Sequence, residues 1–121
     1  MRKRNSSLYQ EIKSLRKQIA EAAQNIYDEW EGEDDPFVGS GGICDEIARE
    51  ISGIIASNID NVEIDDYGQE GDDHAAVISF RGDERYVVDI PYWLYEVGGG
   101  YSWKKIVGVK FKASDVCIDA I

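Results

Sequence analysis

The chain has 121 residues, 43% of them hydrophobic, and a net charge of −11. That is enough for one domain spanning residues 1–121, with a core that stands without disulfide staples, and too hydrophobic for a disordered acidic polymer. No run of about 18 apolar residues occurs, so no transmembrane helix is expected.

The charge is unevenly spread. Residues 1–18 hold six of the 13 basic residues and one acid, for +5, while the other 103 residues hold seven basic and 23 acidic residues, for −16. Such a body repels phosphates, which argues against nucleic-acid binding, and it attracts basic protein surfaces. The start, Met1-Arg2-Lys3-Arg4-Asn5-Ser6-Ser7, is basic but leads into no apolar run, so no secretory signal is expected. Cys44 and Cys117 have no metal-ligand spacing. Two reduced thiols and a cytoplasmic location are the expectation. No cofactor and no metal site are anticipated.

Residues 7–31 read as one long helix. Leu8, Ile12, Leu15, Ile19, Ala22, Ile26 and Trp30 form an apolar seam at 4-3-4-3-4-4 spacing. Ser7 suits the N-cap, with Gln10 three residues on. Glu31-Gly32 and Pro36 are expected to end the helix. The seam is expected to dock on the chain's own core, with a dimer contact through residues 8–30 as the alternative. Residues 32–42 form a glycine-rich loop.

A second helix is expected from Cys44 to Ser57, burying Ile43, Ile47, Ile51, Ile54 and Ile55, with Asn58 at its C-terminal end. The period then changes to two. Val62 and Ile64 suggest a short strand, followed by an acidic loop from Asp65 to Asp73 that lacks the glycine and final glutamate of a calcium loop. His74–Phe80 and Arg85–Ile90 read as a hairpin turning at Arg81-Gly82-Asp83-Glu84, in which position i pairs with about 165 − i. Residues 91–104 are aromatic and glycine-rich. Gly98-Gly99-Gly100 lacks the Lys-Ser/Thr of a phosphate loop, so nucleotide binding is not expected. Ile106–Phe111 is expected to be another strand and Val116–Ile121 a short last element. Two helices followed by an antiparallel sheet make an α+β domain.

Three residues suggest chemistry. Cys44 opens a helix directly after Gly41-Gly42-Ile43. There the unpaired amides and the helix dipole favour thiolate over thiol, and the same amides can receive an oxyanion. His74, the single histidine, stands where the acidic loop meets a strand and can take a thiol proton. Asp89 lies in the apolar run Tyr86-Val87-Val88-Asp89-Ile90-Pro91, where an acid needs a partner.

The order of these residues, in Gly42-Ile43-Cys44-Asp45-Glu46-Ile47-Ala48, His74-Ala75-Ala76-Val77 and Val88-Asp89-Ile90-Pro91, resembles the papain-like superfamily, especially its transglutaminase-like and arylamine acetyltransferase-like branches. The resemblance covers about residues 39–92. It implies a papain-like core arrangement, with Cys44 as nucleophile, His74 as general base and acid, and Asp89 orienting the imidazole. Ala76 replaces the aromatic that commonly follows His-Ala in the transglutaminase-like branch. No glutamine precedes Cys44 at close range, so Ser40 or backbone amides would serve the oxyanion, beside Gly41 and Gly42. Trp93 and Trp103 would wall the substrate groove. The expected activity is that of a small cysteine hydrolase or acyltransferase (thiol-protease type) on an amide, isopeptide or thioester, with a protein or peptide substrate. The competing expectation is a non-enzymatic acidic inhibitor or adaptor, of the phage counter-defence or toxin-immunity type, that occupies a basic partner surface.

Overall fold

The structure, a computed structural model, describes residues 7–30, 43–68, 75–99 and 102–121. The helices are α1 (Leu8–Lys13), α2 (Arg16–Glu29) and α3 (Cys44–Asn58). The strands are β1 (Glu63–Gly68), β2 (Ala75–Arg81), β3 (Glu84–Asp89), β4 (Glu96–Gly99), β5 (Ser102–Lys105) and β6 (Cys117–Ala120). The architecture is α+β, with the helices packed on one face of an antiparallel sheet of order β1-β2-β3-β6 and a separate β4–β5 hairpin. No helix among the described residues is long and apolar enough to cross a membrane.

The expected single N-terminal helix is two helices, and Ser14 explains the break. Its hydroxyl donates to the Glu11 carbonyl at 2.6 Å, the oxygen that the Leu15 amide would use in a continuous α-helix. Leu15 N–H instead donates to Ile12 O at 2.9 Å, a 3-10 closure. The buried stripe changes here too. Leu8, Ile12, Leu15 and Ile19 are buried as expected, but beyond them the burial passes to Ala20, Ala23 and Tyr27, with Ala22, Ile26 and Trp30 only partly covered. The seam does dock on the chain's own core. Ser7 caps α1, its hydroxyl accepting from Gln10 N–H at 3.1 Å, and the Glu84 carboxylate on β3 accepts from Leu8 N–H at 2.8 Å. α2 ends at Glu29, two residues short of the expected end, as Trp30 turns extended.

α3 follows the sequence closely. Ile43, Ile47, Ile51, Ile54 and Ile55 are all buried, and the Asn58 side chain donates to Ile54 O at 2.7 Å to close the C-terminus. In the sheet every described β2–β3 pair, from Val77↔Val88 to Arg81↔Glu84, obeys the 165 − i register. Gly82, at φ +60°, supplies the left-handed residue the two-residue turn requires. Val77, Ser79 and Val88 face the helices and are fully buried, while Ile78, Phe80 and Arg85 alternate onto the outer face.

Two expectations need correcting. Asp65 is not the start of a loop, because β1 runs on to Gly68 paired with Ala75. Residues 106–111 are not a strand, because α2 satisfies their backbone through side chains. Gln24 donates to Val109 O at 3.1 Å and accepts from Phe111 N–H at 2.8 Å, while the Tyr27 hydroxyl donates to Ile106 O and accepts from Val109 N–H. Gly108, at φ +89°, turns the chain between these anchors. The expected last element is β6, which pairs with β3 through Val88↔Ile118 and Asp89↔Cys117.

Candidate active site around Cys44

Cys44 is the first residue of α3, as its glycine-led approach suggests. Its side chain is 2% exposed. A nucleophile open to solvent is therefore not what the fold presents. Reaction at this sulfur requires a local opening of the packing around it.

A second buried group is Tyr95, which the sequence did not single out from the aromatic stretch. Tyr95 follows a single 3-10 turn at Tyr92–Leu94 and is fully buried. Its ring meets Phe111 edge-on at 5.9 Å between centroids, and Phe111 in turn meets Tyr27, so the ring is held by the segment that α2 grips. Burial pushes the Tyr95 hydroxyl far above the ordinary tyrosine range, and the charges of Cys44, Glu96 and Asp89 push it further. Tyr95 is thus within electrostatic reach of two of the three expected site residues. Among the described residues its hydroxyl has no hydrogen-bond partner. An unmet buried hydroxyl of this kind costs about 1–3 kcal/mol. Ser79 carries the same defect in mid-strand on β2. Glu96 beside Tyr95 is also buried, at 3% exposure. The only hint of this centre in the sequence is a Tyr-Glu pair inside an apolar stretch, and no spacing marks it.

Asp89 is the last residue of β3, half-buried between fully buried Val88 and Ile90. The pleat gives it the strand face of Arg85 and Val87, opposite the face that Val88 turns to the helices. Its register partner is Cys117, whose thiol is pushed up by burial and then by Asp119 and Asp89. Ser40, Gly41, Gly42 and His74 lie outside the described residues, as does the Trp103 side chain. Trp93 is 65% exposed and stacks edge-on with Tyr92 at 5.4 Å.

On the outer sheet face, Asp65, Ile78, Phe80, Arg85 and Ile121 line a shallow recess, and Arg85 lies 5.9 Å over the Phe80 ring. Among the described residues no cluster of His, Cys, Asp and Glu is arranged to hold a metal ion.

No family model, curated protein or solved structure matches the chain.

Proposed function

We propose that the protein is a small papain-like cysteine hydrolase or acyltransferase whose nucleophile is Cys44. The supporting observation is the place of Cys44 as the first residue of the 15-residue α3, with Asp89 ending β3. In this reading Cys44 Sγ attacks an acyl carbon of an amide, isopeptide or thioester. His74, immediately before β2, takes the thiol proton and returns it to the leaving group, and Asp89 orients the imidazole. Water or a second acceptor then releases the acyl group.

Iodoacetamide labelling with peptide-level mass spectrometry tests this. Cys44 should be alkylated at pH 6 faster than global unfolding allows, and His74→Ala should slow it by about tenfold or more. Cys117 should react slowly throughout, because its thiol is pushed up. Labelling of Cys44 that proceeds only at the unfolding rate and ignores His74→Ala would defeat the proposal.

The near-complete burial of Cys44 favours a second reading, in which the thiol is a core residue and the protein is an acidic binder of a basic protein surface. The exposed Asp65 and Asp119, on the outer sheet face around Ile78 and Phe80, suit such a partner.

A further inference from the structure

We infer that the outer face of the four-stranded sheet docks a basic amphipathic helix of a protein partner, seated along the strands over Ile78, Phe80 and Val87. This rests on the acidic-binder reading and gives it a surface and a partner of definite shape. The strand register lays the surface out. One rung across the sheet runs Asp65, Ile78, Val87, Asp119, since Asp65 pairs with Ile78, Ile78 with Val87 and Val87 with Asp119. Residues directly opposite share a face, so two apolar side chains lie between two acids. The next rung on this face runs Glu63, Phe80, Arg85, and Ile121 N–H donates to Arg85 O beyond it at 3.2 Å. Asp65, Ile78, Phe80, Arg85 and Ile121 line a recess of about 190 Å³. Glu63, Asp65 and Asp119 are exposed, and so is Ile121.

A partner on the face of a sheet meets side chains only, so its own backbone must be satisfied internally, as a helix does. Three strand spacings put the Asp65 and Asp119 backbones about 14 Å apart. A helix with its side chains is about 10–12 Å across, which seats it between these flanks with its apolar stripe down. Glu63 and Asp65 stand about 7 Å apart along β1, close to the rise of about 6 Å over four helix residues. Lysine or arginine at positions i and i+4 therefore meets both acids, while a cation on the other flank meets Asp119. The recess takes a large apolar side chain from the stripe. Arg85 is the one cation on these two rungs, and its guanidinium lies 5.9 Å over the Phe80 ring. It repels a cationic partner and covers part of the apolar floor, so it holds the affinity of the face down. A second copy of the chain would set acid against acid, each copy carrying −11.

The test uses a fluorescein-labelled leucine–lysine peptide of about 14 residues patterned as an amphipathic helix, with binding to the full chain read by fluorescence anisotropy. A peptide of the same composition that alternates leucine and lysine as a strand is the comparison. Asp65→Asn with Asp119→Asn should weaken binding of the helical peptide about tenfold or more, and Ile78→Ser should do likewise. Glu21→Gln with Glu50→Gln removes the same charge from exposed positions on the helices and should change it less than about threefold. Arg85→Ala should tighten binding about threefold or more, a gain that a misfolded variant does not mimic. Equal losses from the two acid pairs would mean that the peptide reads only the net field. Equal or tighter binding of the strand-patterned peptide would mean that the partner is not a helix. Either result overturns the inference and leaves an acidic binder, whereas a parent chain that binds neither peptide would overturn the acidic-binder reading and this inference with it.

Discussion

Tyr95 and Cys117 ionise less readily in the folded chain than in the unfolded one, in both cases first because burial withholds water from the charged form. A group whose pKa rises on folding contributes its full stability below its unfolded value and loses it as pH climbs toward the folded value. The effect of Tyr95 should therefore be constant through neutral pH and decline above about pH 10, where an unfolded tyrosine ionises. The half-buried Cys117 should add only a small decline, starting near pH 8.5. Urea titrations between about pH 7 and 11 check this: Tyr95→Phe should flatten the alkaline fall, and a slope identical to the parent would refute the assignment. At this scale the sequence was half legible. The place of Cys44 at a helix start is a local matter of glycines and apolar period, and it was readable. Its burial, and the unmet hydroxyl near it, depend on what a distant segment packs against, and no local pattern encodes that.

Gln24 and Tyr27 set the conformation of residues 106–111 from some 80 positions away in the chain. The β-rich composition of Ile106–Phe111 predicts a strand, and the amides do find partners, but the partners are side chains of α2. Gln24→Ala should cost about 1–3 kcal/mol, since it leaves the Phe111 amide and the Val109 carbonyl unmet. Hydrogen exchange at Phe111 should accelerate in that variant while exchange in β2 and β3 follows only the global loss. The split of the expected first helix is similar in kind. Periodicity saw a continuous apolar seam, whereas one serine hydroxyl at position 14 took the carbonyl that continuity needs. By contrast α3 and the β2–β3 hairpin were legible, because Ile spacing and a glycine at a two-residue turn are both local signals. Arg81 shows how the elements are then joined. Its guanidinium meets Glu11 on α1 at 2.7 Å and donates to Asp60 O at 2.8 Å, tying two helices' ends to the sheet, and the Glu11 contact raises its already high pKa.

The whole molecule carries its charge asymmetrically, with −16 on residues 19–121. Should the binding reading hold, association with a basic partner would be steered by this field. Its rate should fall about tenfold or more between about 0.05 and 0.5 M salt, and dissociation should change far less. Biolayer interferometry with Asp65→Asn and Asp119→Asn together should reproduce part of that loss at low salt. A rate indifferent to both salt and the substitutions would dismiss electrostatic steering. β1 gives the same acidity a second consequence. It is an outermost strand of the sheet, and three of its six residues, Glu63, Asp65 and Asp66, are acidic. An outer strand is a template for pairing with another chain, and like charges along it keep two such templates apart. Near pH 4.4, the isoelectric point of the chain, that repulsion fades together with the net charge. Self-association along β1 should then rise at pH values where the fold still stands, so colloidal stability and fold stability part company at low pH.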